Sequence, residues 1–184
     1  DVQIPRLCHS DGLRPDGNCR ACVVEVDGER ALAASCCRAV TQGMAVQSGS
    51  PRARKAQAMV IELLLADLPQ AGHKWLGDDA TQPHGELSEW AKRLGVVPRD
   101  ELKALRRAQP EADLSHPAMA VNLDACIQCG RCVRACREEQ VNGVLGSAGR
   151  GMAKRVVFDL GDAMGHSTCV ACGECVQACP TGAL

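Results

Sequence analysis

The longest stretch with a helical pattern of apolar residues is PRARKAQAMVIELLLAD, which follows Ser50. A serine followed by a proline is typical of the N-cap and the first position of a helix. The apolar side chains of Met59, Ile61 and the leucines 63–65 form one broad face. The pattern therefore predicts a helix that packs this face on a neighbouring element.

Upstream of this helix, the apolar positions predict short strands. Cys22 to Val26 form an extended run, Asp27-Gly28 favours a hairpin turn, and residues 31–34 begin the returning strand. The segment TQGMAVQSG predicts a further turn and a further short strand.

Downstream of the long helix, the pattern predicts a loop and two short helices. Residues 69–85 are rich in Gly, Pro and Asp, which favours a loop. The segment ELSEWAKRLG predicts a helix that ends at Gly95, and RDELKALRRA predicts another that ends before Pro110. This region is expected to form a helical connector.

The composition of the 184 residues excludes some classes of partner. With 23% charged residues and a net charge of −1, the chain gives no reason to expect nucleic acid or an anionic membrane. The apolar run MVIELLLA is much shorter than the roughly 20 residues that span a bilayer, so no transmembrane segment is expected. Only Trp75, Trp90 and Phe158 are aromatic, so the core must depend on aliphatic residues and on 13 cysteines.

The cysteines predict metal binding. An odd number cannot be fully paired in disulfides within one chain, and the absence of a signal-peptide pattern at the start predicts a reducing compartment, the cytoplasm. In such a compartment, clustered cysteines more often bind metal. They lie in two blocks, 8–37 and 126–179. We therefore expect three parts, residues 1–48, a connector 49–118 and residues 119–184.

The second block contains the spacing C-x2-C-x2-C-x3-C twice, and the second copy is followed by Pro180. This run resembles the one that binds [4Fe–4S] clusters in bacterial ferredoxins. Gly130 and Gly173, each directly after the second cysteine of its run, permit the φ > 0 backbone of a tightly curled loop. The resemblance implies that the fourth cysteine of each run binds the other cluster. The predicted ligands are then Cys126, Cys129, Cys132 and Cys179 for the first [4Fe–4S] cluster, and Cys136, Cys169, Cys172 and Cys175 for the second.

Zinc is the main alternative metal for these cysteines. Four-cysteine zinc sites usually combine two C-x2-C pairs that are separated by a longer spacer. Four cysteines within eleven residues, twice, therefore favour iron–sulfur clusters.

Two arginines lie within the first cysteine run, Arg131 and Arg134, and Arg137 follows it directly. We interpret them as the solvated surface of a helix. The alternative is that these cations favour the more negative, reduced form of a cluster and raise its reduction potential.

The first block has a different spacing, Cys8-x10-Cys19-x2-Cys22-x13-Cys36. Two thiolates from a tight loop and two from outside it suit a [2Fe–2S] cluster, although the spacing differs from the plant-type run. Gly12 and Gly17 allow the loop between the ligands to bend. The predicted [2Fe–2S] ligands are Cys8, Cys19, Cys22 and Cys36, with Cys37 as a small buried residue and His9 as a surface residue.

The segment IPRLCHSDGLRPDGNCRACVVEVDG and the AASC that follows it resemble the N-terminal [2Fe–2S] domain of the large iron–sulfur subunit of respiratory complex I. The same domain occurs in NAD-reducing hydrogenases and NAD-dependent formate dehydrogenases. The resemblance implies an α+β fold, with a [2Fe–2S] β-grasp ferredoxin-like domain, a helical connector and a bacterial-type two-[4Fe–4S] ferredoxin domain. Only seven residues precede Cys8, so we expect the β-grasp domain to be N-terminally incomplete and the chain to be a fragment.

In that family a further [4Fe–4S] cluster is bound by one histidine and three cysteines in the helical segment. No cysteine lies between residues 38 and 125 of this chain. We therefore expect that cluster to be missing here, and His73 and His84 to be loop residues.

The paired runs, especially STCVACGECVQACPTGAL, resemble the alpha subunit of molybdenum- or tungsten-dependent formate dehydrogenases. This resemblance implies an electron-relay part of an oxidoreductase, with no substrate site within these residues. Electrons from formate oxidation at a Mo or W bis-pterin centre, in a catalytic domain downstream, would pass through the clusters to FMN and NAD on a partner subunit. The alternatives are the relay subunit of an NAD-reducing hydrogenase or of complex I, and a zinc-binding structural module.

Overall fold

The N-terminal part of the chain is a small antiparallel sheet with the strand order β2-β1-β3. The computed structural model describes residues 2–69, 85–104, 106–108 and 111–184. The strands are β1 (Val23–Val26), β2 (Ala33–Ala34) and β3 (Val46–Gln47). The predicted hairpin and the predicted further strand are confirmed, since Val23 pairs with Ala34 and Val26 pairs with Val46.

Helix α1 (Pro51–Ala66) begins where the sequence predicts it. The Ser50 hydroxyl oxygen accepts a hydrogen bond from the backbone N–H of Ala53 at 3.1 Å, which satisfies one free donor of the first turn. The buried Gln57 amide donates to the backbone carbonyl oxygen of Val23 at 2.9 Å. This bond fastens the helix to the central strand.

The apolar face predicted for α1 is correct only in part. The buried stripe consists of Ala53, Gln57 and Ile61, which are spaced four residues apart and share one side of the helix. Met59 and Leu63 point elsewhere and are 47% and 53% exposed. A polar residue lies in the buried stripe because its amide finds a backbone partner there.

Two further helices follow in the connector, α2 (Gly85–Leu94) and α3 (Asp100–Lys103). Helix α2 ends as predicted at Gly95, which has a φ of 64°. Helix α3 is shorter than predicted, since Asp100–Lys103 are the only helical residues in the described part of the segment RDELKALRRA. The loop predicted over 69–85, with His73 and His84, lies almost entirely outside the described residues.

The connector forms a core with both cysteine-rich parts. Leu87 of α2 and Ile61 of α1 are fully buried, and they pack with Leu7 from the N-terminal part. Ile127 and Cys129 from the second cysteine block belong to the same cluster of buried side chains. The three predicted parts of the chain are therefore packed against one another, although their boundaries stay a prediction.

The C-terminal part contains two short helices and a hairpin. Helix α4 (Arg131–Arg134) continues as a π-helical turn, Ala135–Glu139, and helix α5 (Glu174–Ala178) packs against both. Between them, β4 (Leu145–Ala148) pairs antiparallel with β5 (Arg155–Phe158). The apolar pattern gave no prediction for this segment between the two cysteine runs.

These helices and sheets give the α+β architecture that the sequence predicts. In the described residues, no helix is long and apolar enough to cross a membrane.

Candidate iron–sulfur sites

The wall of one cavity contains four predicted ligands. This cavity opens partly to solvent and is otherwise lined mainly by apolar residues such as Leu123, Ile127 and Val156. Three of its cysteines come from the first run, but the fourth comes from the end of the second run, and Cys136 is not in its wall. Four thiols around an apolar cavity are a donor set that fits a [4Fe–4S] cluster. The cysteines are Cys126, Cys129, Cys132 and Cys179.

The remaining cysteines of the two runs form a second group. The pKa of the Cys175 thiol is raised to about 11, first by burial and then by the negative charge of Cys169, Cys172 and Cys136. Cys136 therefore lies near Cys175, which is 39 residues away in the sequence. Each of the two groups thus contains cysteines from both runs, and their assignment as cluster ligands stays a prediction.

The two groups are neighbours. Burial raises the pKa of Cys132 well above its ordinary value, and both Cys129 of its own group and Cys175 of the other group raise it further. Burial likewise raises the pKa of Cys129 to about 12. Iron stabilises the thiolate form of such buried thiols, so metal binding and folding are coupled here.

The two loops that carry the first three cysteines of each run have the same backbone conformation. Gly130 and Gly173 have φ values of 76° and 80°, which confirms the prediction for both glycines. Gln128 and Ala171, each just before the second cysteine, both have a φ of 56°, which non-glycine residues rarely adopt. Their N–H groups point at the first sulfur of each run, because Gln128 donates to Cys126 Sγ and Ala171 to Cys169 Sγ, both at 3.4 Å.

The predicted [2Fe–2S] ligands form two contacting pairs. The backbone N–H of Cys8 donates to Cys19 Sγ at 3.3 Å. A hydrogen bond from the Cys19 thiol lowers the pKa of Cys8 to about 5 and raises that of Cys19. The pKa of Cys36 is raised to about 12, first by burial and then by the neighbouring Cys22. Gly12 and Gly17 have positive φ values, as predicted.

Two predictions for the neighbours of this site are wrong. Cys37 is exposed and not buried, although its sulfur lies 3.6 Å from Cys36 Sγ. His9 is not a plain surface residue, since its side chain is only 23% exposed and its Nδ1 is buried.

The interpretation of Arg131 and Arg134 as solvated surface is also wrong. Both residues are only 4% exposed, whereas Arg137 on the next turn has a side chain that is 56% exposed. The buried arginines lie on the helix that carries Cys132 and Cys136, and their faces are covered by the N-terminal part and by α2. The sequence gives one signal for this burial, because Arg131 and Arg134 lie between cysteines of the first run and therefore between two predicted cluster sites.

Among the described residues, no three His, Cys, Asp or Glu side chains are placed to hold a single metal ion.

Both cysteine-rich parts match known domain families. Residues 1–51 match the family described as a 2Fe-2S iron-sulfur cluster binding domain, and residues 125–183 match the 4Fe-4S dicluster domain. The chain is therefore an iron–sulfur protein with a [2Fe–2S] ferredoxin-like domain and a [4Fe–4S] dicluster domain. These matches favour clusters over the zinc alternative.

The curated relatives of the chain are subunits of redox complexes. It is 34% identical over 157 residues to the mitochondrial 78 kDa subunit of NADH-ubiquinone oxidoreductase of Neurospora crassa, over 82% of this chain and 20% of the relative. It is 37% identical over 193 residues to the NADP-reducing hydrogenase subunit HndD of Solidesulfovibrio fructosivorans, over 100% of this chain and 31% of the relative. The chain thus spans between a fifth and a third of these relatives.

A solved structure has the same fold. A chain of an NAD+-reducing [NiFe]-hydrogenase in the H2-reduced state superposes with a TM-score of 0.80 at 28% identity, over 98% of this chain and 74% of that chain. Together, the comparisons identify an iron–sulfur electron-transfer module that is related to subunits of NADH-quinone oxidoreductases and NAD(P)-reducing hydrogenases.

Proposed function

We propose that this chain relays electrons between an NAD(P)-linked flavin on a partner subunit and a second redox centre in a hydrogenase or an NADH-quinone oxidoreductase complex. The observation that carries the proposal is that all three cysteine groups share one packed unit. Cys8 of the N-terminal group and Cys129 of the first cavity lie in the same buried core. Cys132 of that cavity lies near Cys175 of the second group. A chain of cofactors held at fixed, close positions is what a relay requires.

The proposed ligands are those of the sequence prediction. Each bound cluster can accept and release an electron. The chain supplies thiolates, excludes water with apolar side chains such as Leu123 and Ile127, and donates backbone N–H groups to ligand sulfurs. Such hydrogen bonds stabilise negative charge on the sulfurs and tune the reduction potential. The ligands are Cys8, Cys19, Cys22 and Cys36 for [2Fe–2S], Cys126, Cys129, Cys132 and Cys179 for the first [4Fe–4S], and Cys136, Cys169, Cys172 and Cys175 for the second.

A formate dehydrogenase is the second candidate for the whole complex. The observation that favours it is the pair of cysteine runs, especially the segment STCVACGECVQACPTGAL. In that case the remote centre would be a Mo or W bis-pterin, and FMN and NAD would lie on a partner. The hydrogenase and NADH oxidoreductase relatives make these two complexes the better-supported choice.

The clusters are tested on the purified chain. Anaerobically prepared protein should be brown and contain about 10 irons per chain, from one [2Fe–2S] and two [4Fe–4S] clusters. Electron paramagnetic resonance (EPR) of the reduced protein should give one [2Fe–2S] signal and two interacting [4Fe–4S] signals. A colourless protein with stoichiometric zinc would overturn the relay proposal.

The complex is tested with the full-length protein purified from its source with its bound partners. NADH, NADPH, H2 and formate are each added anaerobically, and cluster reduction is followed by EPR. Reduction by NADH or NADPH and by H2 supports a hydrogenase, and reduction by NADH with reoxidation by a quinone supports an NADH-quinone oxidoreductase. Reduction by formate supports the second candidate instead. Failure of every donor to reduce intact clusters would contradict the relay.

A further inference from the structure

The buried arginine Arg134 occupies an unusual position between two cluster sites. It lies on α4, between Cys132 of the first cavity and Cys136 of the second group, and only 4% of it is exposed. A buried cation is unfavourable unless nearby groups compensate for its lost hydration. The groups that contact Arg134 therefore show how the cost of burying its charge is offset.

Arg134 contacts the N-terminal site through backbone oxygens. Its two Nη groups donate to the carbonyl oxygens of Cys8 and Arg14, which are the two ends of the loop that follows the first [2Fe–2S] ligand. One turn further on, the Glu138 carboxylate accepts a hydrogen bond from the backbone N–H of Arg14 at 3.1 Å. Leu13 of the same loop packs on Ala135. The loop is thus seated on the ligand-bearing helix.

The two buried arginines differ in charge compensation. Arg131 Nη1 lies 2.7 Å from both carboxylate oxygens of Glu86, so its charge is locally neutralised. For Arg134, no carboxylate within the described part of the chain lies at salt-bridge distance. The Glu138 carboxylate one turn further on, whose pKa is lowered first by the backbone N–H of Arg14 and also by the charge of Arg134, compensates this charge only from a distance. The Arg134 guanidinium is therefore less fully neutralised than that of Arg131.

We propose that Arg134 is a positioning residue which clamps the Cys8–Arg14 loop onto α4 and stabilises the reduced [2Fe–2S] cluster. With the clusters bound, the oxidised [2Fe–2S] cluster would accept one electron from a reduced neighbouring cluster. No bond would form or break, the donor would be oxidised by one electron, and the acceptor site would gain one negative charge near the guanidinium. The inference rests on the proposed cluster sites.

The test compares Arg134→Gln, Arg134→Lys and the control Arg137→Gln, which removes an exposed cation from the same helical segment. The first readout is the [2Fe–2S] midpoint potential from an EPR-monitored redox titration of the full chain. The second is amide hydrogen exchange of the Cys8–Arg14 loop, where the N–H of Leu13 donates to Ser10. Iron content is measured for each variant, so that loss of the clusters is distinguished from a change in their properties.

Arg134→Gln should lower the ratio of reduced to oxidised [2Fe–2S] cluster about tenfold at a fixed potential, a shift of about 59 mV for one electron. It should also speed exchange in the loop about tenfold, because the clamp is lost. Arg134→Lys keeps the charge but cannot donate to both carbonyl oxygens as the guanidinium does. The [2Fe–2S] midpoint potential should therefore stay near the wild-type value, while hydrogen exchange in the loop becomes faster. Arg137→Gln removes a cation that pairs with Glu138 at 3.3 Å but leaves both the Arg134 bonds and the Glu138 carboxylate in place, so it should change the potential and the exchange much less than Arg134→Gln does.

An unchanged potential in Arg134→Gln with full iron content would overturn the electrostatic role. Unchanged exchange in Arg134→Lys would overturn the clamp, even if the glutamine variant does not fold. Wild-type protein without iron–sulfur clusters would instead refute the proposed function itself.

Discussion

Paired cysteine substitutions can decide which thiols share a cluster. Cys132 and Cys136 belong to the same run in the sequence, but the structure groups them with different partners. Cys136 and Cys175 belong to different runs but lie in one group. The two double variants, Cys132→Ser/Cys136→Ser and Cys136→Ser/Cys175→Ser, therefore give opposite results for crossed and uncrossed ligation.

The expected magnitude follows from the cluster types. The intact chain should bind about 10 irons, and loss of one [4Fe–4S] cluster leaves about 6 while loss of both leaves about 2. With crossed groups, Cys132→Ser/Cys136→Ser damages both cubanes and should retain about 2 irons. Cys136→Ser/Cys175→Ser damages only one and should retain about 6.

The assay is iron and sulfide analysis of anaerobically purified protein, with EPR to identify the clusters that remain. Persistence of the [2Fe–2S] signal checks that each variant is folded. Cys37→Ser is the control, because Cys37 is exposed and outside the proposed ligand sets, and it should keep about 10 irons. If Cys132→Ser/Cys136→Ser retains about 6 irons and the other pair about 2, the crossed ligation is refuted.

Three further changes test the packing around the sites. A Cβ at Gly85, where φ is 75°, would collide with the carbonyl group of Pro180 and lie 3.2 Å from Thr181 Cα. Gly85→Ala should therefore lower the content of [4Fe–4S] clusters, and an iron content equal to that of the wild type would contradict this. Ser50→Ala should lower the free energy of unfolding, measured by chemical denaturation, by about 1 kcal/mol, because the N-cap of α1 is lost. Ser50→Thr should retain the cap and most of the stability. Removal of iron by a chelator should unfold residues 1–48 and 119–184, while part of α1 remains helical. Circular dichroism measures this loss of structure, and an unchanged spectrum would contradict the prediction.

Features encoded by nearby residues could be predicted from the sequence. The cap at Ser50, the end of α2 at Gly95, and the positive φ of Gly130 and Gly173 each depend on local chemistry, and the structure has all of them. The length of α3 could not be predicted in this way, because helix propensity is a weak signal that its surroundings override.

Long-range packing could not be predicted from the same patterns. Arg134 looks like an ordinary surface arginine until a loop 120 residues away in the sequence covers it. Glu86 gave no sequence signal as the partner of Arg131 for the same reason, since the pair joins α2 to α4 across 45 residues. The crossed cysteine groups were predictable only because a resemblance to bacterial ferredoxins supplied the distant partner.

The position of Cys179 in the wall of the first cavity has a consequence for biosynthesis. Cys126, Cys129 and Cys132 are translated early, but their fourth companion emerges from the ribosome only after 46 further residues. The second group is likewise completed only when Cys175 has been made. With the proposed ligand sets, neither cubane can therefore have its full set of ligands until the second run has been synthesised.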